Sequence, residues 1–187
     1  VEFGESGLLW ESNLIMYDRK SQTLWSQVLA EAIIGPETGK KLAILPSDVV
    51  RYDKWKAQYP QGEVLSQDTG FFGRRYTGNV YGGSYFAVPA ASRFFSSHQD
   101  HRLAEESVVL GIVVNEKAKA YNVASVKDKG TVEDTFEGIT FILRYEADLD
   151  VVRMFRKLQD GTEERISPVS GFWFSWAAAH KDTELYR

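Results

Sequence analysis

The sequence predicts a strand-rich α+β fold, built mostly of antiparallel sheet with two or three short helices. Short apolar and aromatic runs alternate with turn residues along most of the 187-residue chain, which is typical of consecutive β-strands. The longest of these runs, residues 108–114, is continuously apolar, as expected for a strand buried on both faces. At about 150 residues per domain, the length predicts a single domain over residues 1–187.

The first part of the chain is expected to form short strands separated by turns. The runs that we interpret as strands are residues 6–10, 13–17, 23–25, 32–34 and 41–45. The polar segment 18–21 and the dipeptide Gly35-Pro36 provide turns, and Pro46 ends the last run.

A short helix is predicted from about Tyr52 to Tyr59. Tyr52, Trp55 and Tyr59 fall on one helical face because they are spaced by three and four residues. Pro60 and Gly62 follow directly and are expected to end the helix.

The segment 66–97 combines many glycines with many aromatic residues. A long irregular stretch inside a compact domain is often functional, and its aromatic content argues against disorder. We therefore expect any ligand surface to lie here, with support from the first hairpin. The expected ligand-binding residues are Tyr76, Asn79, Tyr81 and Tyr85, with Trp10 and Asn13 beneath them.

The second part of the chain predicts further strands and one more helix. The expected strands are residues 108–114, 117–121, 139–145, 151–158 and 164–166. Asp160-Gly161 is expected to form a tight hairpin turn between the last two. A final helix is predicted from Phe172 to about Ala179, with the Ser170 side chain as its N-terminal cap.

Composition excludes several classes of protein. The chain has 22 basic and 26 acidic residues, so it lacks the basic surplus with which nucleic-acid binders neutralise phosphates. It contains no cysteine, which removes disulfides, thiolate metal sites and cysteine nucleophiles. No apolar run approaches the ~20 residues of a transmembrane segment. We expect no nucleic-acid partner, no membrane span and no cofactor.

Three glycine-containing segments resemble catalytic or phosphate-binding motifs without satisfying them. Residues 35–41 have three residues between the glycines where a phosphate-binding loop needs four. Residues 4–8 lack the second glycine of a nucleophile elbow. Residues 78–83 follow no clear strand and open no clear helix, so they do not predict a dinucleotide site.

A metal site at residues 98–101 is the alternative to a binding surface. His98 and His101 have a spacing that places both imidazoles on one face of a helix, with Asp100 between them as a further ligand. Glu105 or Glu106 would then act as general base in a metal-assisted hydrolase. No glutamate completes an H-E-x-x-H motif and no further ligand is evident nearby, so a solvated polar loop is the favoured interpretation.

His180 stands at the expected end of the last helix. Its favoured interpretation is a charge partner for the C-terminal end of the helix dipole. The alternative is a general base that is oriented by Asp182.

Several motifs along the chain resemble a bacterial and archaeal family of unknown function, DUF3179. Residues 6–19 are similar to the family signature S-G-L-L-Y-N-S-N-L-L-M-Y-D-R. Further segments that fit in order are residues 30–36, 65–70, 102–111, 119–121 and 171–183. The family has a cysteine-containing segment before the first motif, and this sequence begins downstream of it. Many members look exported, so the resemblance implies an extracytoplasmic location, in the periplasm or cell envelope.

The resemblance also suggests an internal duplication. Residues 132–138 are similar to a segment that the family carries in its first half, and residues 170–174 echo residues 6–10. On this interpretation the chain holds half of a first repeat, about 1–100, and a second repeat, about 101–187. An uncovered sheet edge between such halves would favour a homo-oligomer.

The leading functional hypothesis is a non-catalytic binding or interaction domain of the cell envelope, whose partner is an unknown small molecule or protein. The metal-assisted hydrolase is the competing hypothesis. The residues leave open whether the protein is an enzyme.

Overall fold

The computed structural model describes residues 1–11, 13–70 and 98–187. In these ranges the chain forms twelve strands, arranged in three four-stranded sheets, and three helices of seven residues. One strand pair is parallel and all the others are antiparallel. The predicted strand-rich α+β class is confirmed.

The N-terminal sheet is an antiparallel meander. Its strands, in spatial and sequence order, are β1 (Phe3–Trp10), β2 (Asn13–Asp18), β3 (Leu24–Ser26) and β4 (Glu31–Ile34). Side chains alternate between its faces, so Ile15 of β2 is buried while its neighbours Leu14 and Met16 are more exposed.

The strand expected at residues 41–45 does not form. Lys41 makes a single bridge with Glu31, and residues 42–51 have no regular structure. The backbone N–H of Leu42 still donates to the carbonyl of Ala30 at 2.8 Å, after which the chain leaves the sheet edge. It leaves because Asp48, farther along, is held by arginines of a different sheet, as described below.

The central sheet has the strand order β11-β5-β6-β12. Its strands are β5 (Val108–Val114), β6 (Lys117–Asn122), β11 (Val169–Phe172) and β12 (Glu184–Tyr186). The β12 strand runs parallel to β6. Residues 109–112 of β5 are buried although they alternate between the two faces, which confirms the prediction that both faces of this strand are covered.

The third sheet is a second antiparallel meander. Its strands are β7 (Thr131–Phe136), β8 (Ile139–Glu146), β9 (Val151–Lys157) and β10 (Glu163–Ile166). The strands expected over 139–145, 151–158 and 164–166 are confirmed, and Asp160-Gly161 forms the turn before β10. Gly161 has a φ of 83°, a left-handed conformation that glycine adopts without steric cost.

The sequence predicts the first of the three helices but not the second. Helix α1 (Tyr52–Gln58) confirms the prediction from the aromatic spacing. Helix α2 (Val123–Lys129) was not expected, although Asn122 is a strong capping residue: its side-chain oxygen accepts from the backbone N–H of Ala124 at 2.8 Å. Helix α2 has few apolar residues, so the sequence lacks the apolar spacing of three and four residues that would predict a helix here.

Helix α3 (Trp173–Ala179) confirms the last predicted helix but corrects its cap. Ser170 lies in β11, and the N-cap residue is Phe172, which offers no side-chain hydrogen bond. The first-turn N–H groups of Trp173 and Phe174 instead donate to the backbone carbonyls of Ser107 and Glu105. A tertiary contact therefore replaces the local cap.

Apolar cores cover both faces of the central sheet. On one face β5 and β6 pack against α2 and the third sheet, and the buried residues include Leu110, Tyr121, Val126, Leu143 and Met154. On the other face the buried residues are Val28, Val109, Ala120, Trp173, Trp176 and Ala177. Val28 follows β3, so the N-terminal sheet joins the rest of the protein through this second core.

The proposed duplication is not reflected in matching local structure. Residues 6–10 belong to β1 and continue into the β2 hairpin, whereas residues 170–174 leave β11 and enter α3. The duplication stays a prediction.

The described helices are all short. None of those within residues 1–11, 13–70 and 98–187 has the length and hydropathy of a membrane-spanning segment.

Candidate functional site

A cleft runs between the segment 27–51 and the central and third sheets. It consists of a first cavity of about 580 Å³ and a second cavity of about 460 Å³. Ala30, Ile44, Ile166 and Val169 line both cavities, so the two are adjacent parts of one cleft. Both volumes lie in the range of about 300–1,000 Å³ that is typical of small-molecule sites.

The cleft is covered on one side by residues 42–51, which we call the strap. The Asp48 carboxylate accepts hydrogen bonds from Arg153 on β9, at 3.0 Å, and from Arg165 on β10, at 2.6 Å. These ion pairs hold the strap against the third sheet and place Ile44 over both cavities. The position of the strap thus depends on charges that lie more than a hundred residues apart in the sequence.

The first cavity carries charges of both signs. Lys127 of α2 donates to Asp150 at 2.6 Å, and the Tyr145 hydroxyl donates to the same carboxylate oxygen at 2.9 Å. The pKa of the Asp150 carboxyl is held below its usual range by these two hydrogen bonds, of which the one from Lys127 is stronger. The charged groups of this cavity are therefore largely satisfied by one another.

The second cavity contains polar atoms that the described part of the chain leaves without a partner. The Oγ of Ser167 and the Nε2 of His180 are both buried, and neither has a hydrogen bond. A buried polar atom without a partner costs about 1–3 kcal/mol. In native proteins such atoms are uncommon, and each one calls for a ligand, an ordered water molecule or another specific explanation.

His180 is held against an aromatic wall at the C-terminal end of α3. Its ring centroid lies 4.0 Å from that of Trp176, and the Trp176 indole N–H donates to the Thr183 hydroxyl at 2.9 Å. Burial lowers the pKa of His180 from 6.5 to about 4. The imidazole is therefore neutral at pH 7, and the prediction that it acts as a charge partner for the helix dipole is wrong.

Gly111 allows this wall to form. A Cβ atom at Gly111 would lie 2.3 Å from the Trp176 ring, so any side chain here would push the indole aside. Glycine on β5 therefore lets Trp176 lie flat against the strand, beside the second cavity.

The remaining wall of the second cavity is apolar except for two cations. Lys41 and Arg156 are its charged lining residues, and none of its lining residues is acidic. Arg156 forms an ion pair with the exposed Glu164 at 2.5 Å. Lys41 is exposed and has no ion-pair partner among the described residues.

None of the described residues that line the cleft is among the ligand-binding residues predicted from the sequence. Tyr76, Asn79, Tyr81 and Tyr85 fall outside the described residues. Trp10, at the end of β1, is 38% exposed, and Asn13 begins β2. Neither Trp10 nor Asn13 lines the cleft, and the ligand surface expected at these six residues stays a prediction.

Asn13 connects the N-terminal sheet to α3. Its side-chain nitrogen donates to the Ser175 hydroxyl at 3.3 Å, while its side-chain oxygen is buried without a hydrogen bond to the described part of the chain. This contact helps to fix the N-terminal sheet against the helix that carries His180.

Asp100, one of the residues proposed as metal ligands, is paired with an arginine. The Asp100 carboxylate accepts from Arg102 Nε and Nη2 at 2.9 and 2.6 Å, and this ion pair lowers the pKa of Asp100. The Asp100 carbonyl accepts from the Trp173 indole at 2.9 Å. A metal at His98 and His101 would have to compete with Arg102 for this carboxylate. Within residues 1–11, 13–70 and 98–187, no group of three metal-binding side chains occurs.

The cleft itself could not be read from the sequence. Ser167 is one serine among many, and the sequence suggested for His180 only a partner of the helix dipole or a base oriented by Asp182. Their shared cavity arises because β11 and α3 follow each other around the edge of β5, which no spacing of residues reveals.

Comparison with known proteins identifies the family. No curated protein and no solved structure matches the chain. The profile of a family described as "protein of unknown function (DUF3179)" matches residues 1–169, which include the strap, the Lys41 and Arg156 cations and Ser167. The chain therefore belongs to the DUF3179 family, as its motifs predicted.

Proposed function

We propose that the protein is a binding domain that takes up a small molecule in the cleft without catalysing a reaction on it. The single observation that carries this proposal is the second cavity itself, a hollow of about 460 Å³ with a mostly apolar wall that includes Ser167 and His180, each of which holds a buried polar atom without a hydrogen bond. A few polar side chains in a mostly apolar hollow are the usual means of orienting a small ligand. A turn of either side chain toward the cavity would let a ligand hydrogen-bond its polar atom, and removal of that atom's desolvation cost would contribute to the affinity.

Ligand-observed NMR with a diverse fragment library tests the proposal. Val113 lines the second cavity and is half exposed, so Val113→Trp can fill the cavity without disturbing a core position. Val64→Trp is the matched control, because Val64 is similarly exposed and lines neither cavity. We expect fragments that bind the wild type and V64W but are lost in V113W. The absence of such fragments would overturn the proposal.

The metal-assisted hydrolase remains the second candidate and has less support. Its motivation was the spacing of His98, Asp100 and His101, and Arg102 now occupies the carboxylate of Asp100. Stoichiometric zinc in the purified protein, lost in a variant with both His98→Ala and His101→Ala, would favour this candidate over the binding domain.

We further propose a location in the cell envelope. The support is the resemblance to a family whose members look exported. Fractionation of cells that express the full-length gene product tests this location. Recovery in the cytoplasmic fraction would contradict it and would leave the proposal of a binding cleft unaffected.

A further inference from the structure

We propose that the second cavity selects amphiphiles with an anionic head group, meaning a carboxylate or a phosphate monoester on a hydrocarbon chain. This inference rests on the proposed binding function and specifies its ligand. It follows from the distribution of charge, apolar surface and hydrogen-bonding groups around the second cavity.

The charges that line the second cavity have one sign. Lys41 and Arg156 are cationic, and no carboxylate lines this cavity. The first cavity differs, because Asp48 and Asp150 lie there beside its cations. An anionic group in the second cavity would meet attraction without a compensating acidic neighbour in the wall, whereas a cationic group would meet repulsion only.

The two cations are not equally available. Arg156 already binds Glu164 through Nε at 2.8 Å and Nη2 at 2.5 Å, and both side chains are about half exposed. Lys41 has no such partner among the described residues. Lys41 is therefore the principal cation for a head group, and Arg156 contributes the part of its charge that Glu164 does not neutralise.

The rest of the cavity wall is suited to a hydrocarbon chain. Its apolar members come from the segment after β3, from β5, from β8 and from α3, and they include Val28, Leu29, Ile112, Ile139, Phe141 and Trp176. Transfer of methylene groups from water into such surroundings is favourable in proportion to the area removed from water. A chain that extends toward Ile44 and Val169 would also enter the first cavity.

The unpartnered polar atoms of Ser167 and His180 can donate hydrogen bonds to an anion when their side chains turn toward the cavity. The Ser167 hydroxyl can turn its proton toward a ligand oxygen, and neutral His180 can carry its proton on Nε2. Hydrogen bonds to an ionised acceptor are stronger than those between neutral groups. Carboxylate and phosphate oxygens thus match the donors and the charges of this cavity together.

The experiment compares probes with the same chain and different head groups. Dodecanoate, dodecyl phosphate, dodecanol and dodecyltrimethylammonium are titrated below their micelle-forming concentrations, and dissociation constants are measured by chemical-shift perturbation. We expect both anions to bind about tenfold more tightly than dodecanol. The cationic probe should bind most weakly. The ratio between the two anions shows whether the head group is a carboxylate or a phosphate.

Charge-removing variants locate the head group. Lys41→Gln and Arg156→Gln should each weaken binding of the anions about threefold, as expected for partly exposed ion pairs, with dodecanol binding unchanged. Lys40→Gln is the control for Lys41, since Lys40 pairs with Glu37 on the same loop and lines neither cavity. Arg144→Gln is the control for Arg156, since Arg144 pairs with Glu163 in a similar environment outside the cleft.

The outcomes separate this inference from the proposed function. Equal binding of dodecanol and the anions would overturn the anionic selectivity while leaving the binding cleft in place. Fragments that bind in the cleft, with no amphiphile binding there, would overturn the inference in the same way. If V113W removes neither fragments nor amphiphiles, the proposed function itself fails.

Discussion

The polar groups at the hairpin turn between β2 and β3 and those of Ser167 and His180 are both buried, but only the former have hydrogen-bond partners among the described residues. Asp18, at the turn between β2 and β3, is only 3% exposed. Its carboxylate accepts from the Ser21 N–H and hydroxyl, both at 2.5 Å, and from the Trp25 indole at 3.2 Å. In the second cavity, Ser167 Oγ and His180 Nε2 have no hydrogen bond to the described part of the chain.

The pKa values of the two regions show the same contrast. The hydrogen bonds from Ser21 and Trp25 hold the pKa of Asp18 well below its usual range, so its charged form is favoured inside the fold. Burial alone lowers the pKa of His180, so its charged form is disfavoured. At the β2–β3 turn, hydrogen bonds to the buried Asp18 carboxylate stabilise the fold. At the second cavity, the unpartnered atoms of Ser167 and His180 lower the stability of the ligand-free protein and are available to a ligand.

The largest expected effect is the loss of the hairpin network. Asp18→Ala leaves the Trp25 indole N–H and two backbone N–H groups without their acceptor, because Lys20 and Ser21 also donate to this carboxylate. We expect the melting temperature to fall by roughly 10 °C. Asp128→Ala, at an exposed position of α2, should change it little. Similar melting temperatures for the two variants would show that the network is not structural.

The wall of the cavity should respond strongly to one added methyl group. Gly111→Ala forces the Trp176 ring away from β5, and we expect the free energy of unfolding to fall by about 2 kcal/mol in urea denaturation. Gly171→Ala is the control on the neighbouring strand, where nothing lies within 4 Å of an added Cβ. If both variants are equally stable, Trp176 does not pack as described.

The pH dependence of stability tests the burial of His180. Because its pKa is about 4 in the folded state and 6.5 in the reference state, the unfolded chain binds a proton first as the pH falls. The folded state thus loses stability between about pH 6.5 and pH 4. The full shift corresponds to about 3 kcal/mol, which partial solvent access reduces to about 2 kcal/mol.

Denaturation of the wild type and of His180→Gln across this pH range isolates the contribution of His180 to the free energy of unfolding. The difference in unfolding free energy between the two should be constant above pH 6.5 and should shift in favour of the variant toward pH 4. Parallel curves throughout the range would contradict a buried, neutral imidazole.

The smallest expected effect is the change in stability when a buried serine is replaced by alanine. It distinguishes the two regions, because the change should be a gain at the second cavity and a loss near the β2–β3 turn. Ser167→Ala removes a buried hydroxyl that has no partner, and we expect the ligand-free protein to gain about 1 kcal/mol. Ser26→Ala removes a buried hydroxyl that accepts from the Leu29 N–H at 3.3 Å, and it should lose about 1 kcal/mol. Loss of stability in both variants would mean that Ser167 Oγ is already satisfied in solution.

Much of the fold was predictable because strand signals are local. The apolar run 108–114 and the Asp160-Gly161 turn each depend on residues close together in the chain, and both predictions are confirmed. The prediction that Ser170 caps α3 was wrong. The N–H groups of the first turn of α3 donate instead to the carbonyls of Ser107 and Glu105, which are far away in the sequence. The prediction of a strand at 41–45 was wrong, because the ion pairs of Asp48 with Arg153 and Arg165 hold the chain after Lys41 against the third sheet.

The sequence by itself determined the strand-rich class, the hairpins and the family, since these follow from periodicity, turn residues and motifs that neighbouring residues carry. Only the tertiary structure decided which buried polar atoms have a hydrogen-bond partner and which have none. Ser21 reaches Asp18 within one turn, whereas Ser167 and His180 share a cavity only after two sheets and a helix have packed. Hydrogen-bond satisfaction within a turn is a local property, but a cavity exists only between elements that the fold brings together.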